Sequence, residues 1–295
     1  MGQQVLIIGA GEIGKALLRV LGQKKNVAVR FWDKNPRFSS GKDLGELART
    51  SQFIFLCIPS LAMTQVVSDI KPYLRRKTLV VSLTKGMDKR SGKFSSEILR
   101  QRFGKIRTAI LAGPMIAEEL KTGALTKATV GSTRSGFKKL ERLLVGTSLH
   151  IEYSSDIQGV SVAGVLKNIY AMGFGMIDAL ELGSNAKGVF INTTLLEMEM
   201  LIQRLGGKPG TTHTLAGLGD LEATSHSLNS ANRVVGQKII EGKLGKLTGE
   251  GLSSLEPLVK RIGSKNLPLA LSTIRRTIKN PKGAKKTFED LIKNA

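Results

Sequence analysis

QVLIIGAGEIG, residues Gln4–Gly14, runs an apolar stretch directly into glycines spaced G-x-G-x-x-G. The run Gln4–Ile8 predicts a short strand, and Gly14 sits in a helix continuing to about Leu21. A second strand, Val27–Trp32, ends at Asp33. The glycine pattern alone is weak. Between a strand and a helix, with an acid closing the next strand, it is a dinucleotide-binding turn. Gly9 permits the tight turn, Gly11 lets a pyrophosphate approach the backbone, and Gly14 lets helix pack on strand. The start of the helix, at Glu12 and Ile13, offers unpaired N–H groups to the phosphates. Asp33 is placed to accept hydrogen bonds from an adenosine ribose and to repel a 2′-phosphate. Lys34 and Arg37 follow at once and can pair with such a phosphate, so the cofactor reads as NAD or NADP, leaning to NAD.

Working outward, Ser51–Pro59 (SQFIFLCIP) is a continuous apolar strand, as expected where both sheet faces are covered. A helix over Leu61–Ile70 follows, then strands Thr78–Leu83 and Arg107–Ala112, which end in Thr84-Lys85-Gly86 and Gly113-Pro114. Ligands of open α/β sheets bind at the carboxyl ends of strands, which makes Lys85 a candidate site residue rather than an ordinary loop lysine. Strands near Ala128 and Leu149, around a helix over Ser135–Val145, complete the sheet. After Tyr153 strand-like runs stop. The expected fold class is α/β: a Rossmann-type doubly wound sheet over residues 1–154, then an all-helical substrate-binding domain over 155–295. Helices are expected over Val160–Ala179, Gly188–Leu205, Thr212–Ala223, Ser230–Ile240 and Gly249–Ile262, with two more near the C-terminus.

Bulk properties narrow the function classes. The chain has 295 residues, of which 41% are apolar and 5% aromatic, enough for real cores built from aliphatic side chains. Its one cysteine, Cys57, excludes an internal disulfide and a cysteine-based zinc cluster, and no metal site is expected. No basic-then-apolar leader opens the chain, and no run approaches 18 apolar residues, so neither a signal peptide nor a membrane span is expected and the location reads as cytoplasmic. The net charge of +22 attracts anions. It is diffuse: Arg233–Ala295 carries 14 basic and 5 acidic residues, or +9, and the other +13 lies elsewhere. Without interleaved aromatics this is no specific nucleic-acid signature.

A second stretch carries chemistry. In Gly159–Ala171 (GVSVAGVLKNIYA), Val160, Ala163, Gly164 and Lys167 share one helical face. A lysine on a face of small residues either snorkels to water or is held inside for chemistry. Its candidate partner is Asp220, in Leu215–Arg233 (LAGLGDLEATSHSLNSANR), with Thr224 four residues on. Such an aspartate holds an ammonium and tunes its pKa, although an isolated aspartate here is more often a helix cap.

These blocks resemble the NAD(P)-dependent glycerol-3-phosphate dehydrogenases over nearly the whole chain. The resemblance rests on GAGEIG at Gly9, IPS at Ile58, KG at Lys85, AGPMIAEE at Ala112, GVLKNIYAMGFGMIDAL at Gly164, AGLGDLEAT at Ala216, SANR at Ser230 and GEG at Gly249. It implies that Lys167 exchanges a proton with the C2 oxygen of the substrate, that Asp220 orients it, and that Lys85 lies by substrate and nicotinamide. It implies Asn168, Thr224, Ser230, Asn232 and Gly113 as substrate contacts, and Pro59, Ala117 and Glu250 as cofactor contacts. The expected reaction moves a hydride between NAD(P)H and dihydroxyacetone phosphate, reversibly giving sn-glycerol 3-phosphate for glycerophospholipid synthesis. A different hydroxy or keto substrate, or a non-catalytic dinucleotide-binding protein, are the alternatives. Family members are often dimers, so a homodimer is the oligomeric expectation. Two departures are pointed: the family has Ser-Arg-Asn-Arg where this chain has Ser230-Ala231-Asn232-Arg233, and Met115 replaces a polar residue. Arg233 or nearby lysines are the candidates to make up the lost phosphate contact.

Overall fold

Alternating side chains in the first strand set up the layers. Val5 and Ile7 enter one core with Ala16, Leu17 and Phe137, while Leu6 and Ile8 enter another with Leu47, Val66 and Ile98. A strand buried on both faces, period two, must be sandwiched between helices. The computed structural model describes residues 2–295 except Lys42, Leu228, Asn229, Leu244, Lys246 and Asn266. Its strands are β1 (Gln3–Ile8), β2 (Val27–Trp32), β3 (Phe53–Leu56), β4 (Leu79–Ser82), β5 (Thr108–Ala112), β6 (Thr126–Gly131) and β7 (Leu149–Ser154). They form one 7-stranded sheet in the order β2-β1-β3-β4-β5-β6-β7. β1 to β5 are parallel, with Val5 opposite both Val29 and Phe53; β6 runs antiparallel to β5, and β7 parallel to β6. The order reverses between β1 and β3, the switch point at which such sheets bind ligands.

Several expectations need adjustment. The third strand stops at Leu56, well short of Pro59, because the chain turns there into a 3-10 turn, Ser60–Ala62. Helices Leu44–Thr50, Ser95–Phe103 and Ala117–Thr122 were not foreseen. They are six to nine residues long, too short for periodicity to stand out, and the first is marked instead by its cap, Asp43 accepting from Gly45 N. The helix expected over Thr212–Ala223 is broken into a 3-10 turn (Thr211–His213), a π turn (Leu215–Gly219) and an α-helix (Asp220–His226). Gly217 allows this: a Cβ there would lie 2.1 Å from the Thr212 carbonyl oxygen.

The helix Ile157–Ala179 joins the two halves, packing on β5 and β6 and on the helices that follow. Asp156 caps it, accepting from Gly159 N at 2.8 Å. Its mean hydropathy of 1.4 over an 18-residue window makes it, by length and composition, apolar enough to cross a membrane. That window is wholly buried inside the protein, so packing accounts for its apolarity. Gly175 and Gly236 bring it backbone to backbone with Ala231–Ile240: a Cβ on Gly175 would lie 1.9 Å from Arg233 O, and one on Gly236 2.0 Å from Met172 O. Tyr170 Oη, Ala270 N and Leu271 N all donate to Glu197 of the next helix, Gly183–Arg204. This buried carboxylate thereby ties Ile157–Ala179 to Leu269–Lys279, and burial raises its pKa.

Candidate active site

A cavity of about 800 Å³ opens at the carboxyl ends of β1, β3 and β4. Gly9, at φ +108, folds its backbone against Cys57 O, where a Cβ would sit at 2.4 Å; a Cβ on Gly14 would meet Gly9 O at 2.0 Å. These contacts seat the helix Glu12–Gly22 with its N-terminus at the cavity. Its N-cap, Gly11, has no side-chain cap, so the first-turn N–H groups are left for an anion. The residues fit a dinucleotide in a further respect: Glu250 Oε1 accepts from Ser60 N at 2.9 Å, while Glu250 Oε2 and Ser60 Oγ are buried without a partner among the described residues. Asp33 is fixed at the β2 end, its Oδ2 accepting from Ala10 N at 2.7 Å and its Oδ1 from Asn35 N at 2.9 Å.

Of the cofactor residues expected, Gly9, Gly11, Ile13, Asp33, Lys34, Pro59, Lys85 and Glu250 line this cavity. Gly14 lies behind it against Gly9, and Glu12 turns outward to ion pairs with Lys121 and Lys15. Ala117 lines a neighbouring cavity instead. Asp69 and Gln65 also line the first cavity, hydrogen-bonded to each other at 2.7 Å. No sequence signal links Asp69 to Asp33; only the packing of the helix Met63–Ile70 beside β3 does.

The second cavity, about 180 Å³, shares Lys85 and Met115 with the first. Lys167, Asp220, Thr224, Ser230, Ala231 and Asn232 line it, with Glu118 and Ser227, which sequence reasoning missed. At its floor Asp220 holds two lysines. Lys167 Nζ is 3.1 Å from Asp220 Oδ1 and donates to Thr224 Oγ1 at 2.9 Å; Lys85 Nζ donates to Asp220 Oδ2 at 2.5 Å and to Gly113 O at 3.0 Å. Asp220 is therefore no helix cap, and Lys167, 8% exposed, does not snorkel. Burial lowers the Lys167 pKa to about 8; Asp220 opposes this and the Lys85 charge adds to it. Gly164 makes room, since a Cβ there would touch the Lys85 stem at 3.3 Å.

Gly113 and Asn168 stand one step back from the walls. Gly113 O receives Lys85 Nζ, and Asn168 Nδ2 donates to Lys85 O at 2.8 Å, so both position that lysine. Asn232 Oδ1 accepts from Gly251 N at 3.0 Å, which fixes the approach of Glu250 to the first cavity. Arg233 does not make up for Ala231. Its guanidinium donates to Asp178 Oδ2 at 2.6 Å and to His226 O at 3.3 Å, and it lines neither cavity. Asp178 also pairs with Lys187, so a local ion-pair network retains this arginine. Of the lysines, only Lys85 and Lys167 reach the second cavity among the described residues.

The comparisons agree with this architecture. The family profile described as NAD-dependent glycerol-3-phosphate dehydrogenase N-terminus matches residues 35–138, and that for the C-terminus matches residues 156–287. The glycerol-3-phosphate dehydrogenase (NAD(P)+) of Azotobacter vinelandii is 33% identical over 285 residues, covering 88% of this chain and 80% of that protein. The enzyme of the same name from Clostridium acetobutylicum is 30% identical over 276 residues, covering 85% and 80%. A solved glycerol-3-phosphate dehydrogenase from Coxiella burnetii superposes with a TM-score of 0.87 at 26% identity, over 99% of both chains. A ketopantoate reductase from Ralstonia eutropha shares the fold alone, with a TM-score of 0.59 at 15% identity over 96% of this chain and 100% of that one. With relatives at this identity matched along most of their length, and both halves of the family profile in place, the chain belongs to the NAD(P)-dependent glycerol-3-phosphate dehydrogenase family.

Proposed function

We propose that this protein reduces dihydroxyacetone phosphate to sn-glycerol 3-phosphate with NAD(P)H, reversibly, in the cytoplasm and in the service of glycerophospholipid synthesis. In this reading residues 1–154 bind the dinucleotide and 155–295 complete the substrate site. The carrying observation is a buried lysine, Lys167, 3.1 Å from Asp220, in a cavity that shares Lys85 and Met115 with the dinucleotide crevice. When bound, the dinucleotide supplies the hydride. Lys167 gives its proton to the C2 oxygen in reduction and takes one in oxidation; a pKa near 8 lets one amine serve both directions near neutrality. Asp220 holds both ammonium groups, and Lys85 adds positive charge where the oxygen becomes negative. The test is turnover of NADH or NADPH with the ketone phosphate; no turnover above that of Lys167→Ala removes the proposal.

The phosphate grip consists of Ser230 Oγ, Thr224 Oγ1 and the N-terminus of the helix Ala231–Ile240, with no arginine. Restoring one by Ala231→Arg is expected to lower the substrate KM about tenfold or more, the worth of a charge-assisted hydrogen bond of about 1.5–3 kcal/mol. A KM that stays or rises shows that another group already holds the phosphate. The same lack of an arginine favours a second reading, in which the substrate is a hydroxy or keto compound without phosphate. A panel of ketones with and without the phosphate, compared by kcat/KM, separates the two.

NADH is the preferred cofactor in this reading. Asp33 is immobilised by two backbone N–H groups, and Asp69 lines the same cavity; of its two lysines, Lys34 follows Asp33 directly and Lys85 is held by Asp220. A 2′-phosphate of about two negative charges meets the fixed Asp33 carboxylate there, in a cavity that Asp69 also lines. Asp33→Ser is expected to raise kcat/KM for NADPH about tenfold and lower it for NADH; an unchanged NADPH/NADH ratio counts against the assignment.

A further inference from the structure

The amino edge of the parallel sheet, opposite the cofactor crevice, carries a charge that the reaction does not use. Two segments meet there: Lys71–Lys77 (KPYLRRK), leading into β4, and Arg100–Arg107 (RQRFGKIR), the last turn of the helix Ser95–Phe103 and its run into β5. Each carries four cations and no acid. Arg107 Nη1 reaches Arg75 O at 3.5 Å, a contact between the two segments. Arg49, at the end of the helix before β3, lies 5.4 Å from the Tyr73 ring centroid and adds a ninth cation to the face. Among the described residues none of the nine enters an ion pair. The nearest acids in sequence, Glu46, Asp69 and Glu97, sit on the flanking helices, and Glu97 is already held by Arg261. In the middle of this charge Ile106 is 71% exposed.

We propose that this face docks the protein on an anionic lipid surface. Clustered cations gain from the negative potential of acidic headgroups, and an exposed aliphatic tip gains by entering the acyl boundary. Nucleic acid fits the face less well. Its binding without sequence preference relies on aromatic rings that bases can stack on. The ring in these segments that stands partly free, Tyr73, has Arg49 over it and packs against Gly45, where a Cβ would lie 2.7 Å from the ring; Phe103 is buried. Because the cofactor crevice opens at the other end of the strands, docking leaves the crevice accessible.

The test is co-sedimentation of the full chain with vesicles of phosphatidylcholine alone and of phosphatidylcholine with an equal part of phosphatidylglycerol. Retention is expected on the mixed vesicles only, falling as salt rises. The triple variant Arg75→Gln, Arg76→Gln, Lys105→Gln is expected to lose partition by about a hundredfold, at about 1 kcal/mol, or fivefold, per cation. A control with the same change in net charge, Lys265→Gln, Arg276→Gln, Lys279→Gln, is expected to keep most of it; those residues line a separate basic hollow on the C-terminal helices. Ile106→Ser is expected to weaken partition several-fold where salt has screened the charges. Matching unfolding midpoints check that the variants fold. No retention of the parent chain, equal loss in both triples, or no effect of Ile106→Ser overturns the proposal. So does an RNA oligonucleotide that displaces the protein from vesicles and depends on the same three cations.

Discussion

Lys167→Ala is expected to cut turnover by about 10²- to 10⁴-fold, the range for removing a positioned acid–base group, with dinucleotide affinity unchanged. Lys167 lines only the smaller cavity, so the glycine turn, Asp33 and Glu250 are untouched. In the parent chain kcat for ketone reduction falls as pH rises through about 8, because the ammonium is the proton donor, and the reverse oxidation rises over the same range. Lys85→Ala removes a charge that lowers the Lys167 pKa, so that limb moves to higher pH; Asp220→Asn removes the partner that raises it, and the limb moves lower. Steady-state rates in both directions, from pH 6 to 10 in roughly half-unit steps, check the signs. A pH profile insensitive to both substitutions places the proton transfer elsewhere. The same shift bears on stability. The folded amine binds its proton less tightly than the ordinary 10.5, so its contribution is complete above about 10.5 and is lost as pH falls through about 8.

Gly236→Ala is expected to destabilise the protein by about 3 kcal/mol and to raise the substrate KM about tenfold. Alanine is the better helix former by about 1 kcal/mol, so propensity alone argues for stabilisation. Packing outweighs it. The new Cβ would lie 2.0 Å from Met172 O, a backbone atom within the buried helix Ile157–Ala179, and neither helix can yield without moving as a whole. Ser230 and Asn232 ride on one helix end and Lys167 on the other helix, so separation widens the substrate cavity between them. Because Lys167 keeps Thr224 and Asp220, the pH dependence of kcat should not shift. Denaturant unfolding and KM measured together decide the matter; a stabilised variant with parental KM shows that the helices do not meet as tightly as their glycines allow.

The two halves were legible to different degrees. Gln4–Gly14 followed by Asp33 is a local pattern: strand, turn, helix and acid are consecutive, and each is dictated by residues within a few positions. The apolar strands likewise follow from burial on both faces. The antiparallel β6 was not legible, because reversing one strand leaves its composition unchanged. Nor was the division of Thr211–His226 into three kinds of turn, which depends on how closely Gly217 is pressed to a carbonyl.

Sequence by itself determined the dinucleotide turn, the strands and the identity of a candidate lysine and aspartate, since these rest on spacing and on residue chemistry. Tertiary structure alone decided that Asp220 serves Lys85 as well as Lys167, that Gly113 and Asn168 stand behind the wall, and that Arg233 is spent on Asp178 rather than turned toward Ala231. Lys85 and Asp220 are 135 residues apart and Arg233 and Asp178 55 apart. Over such separations a charged side chain has many partners to choose from, and only the packing of helices on the sheet brings one of them within hydrogen-bond reach.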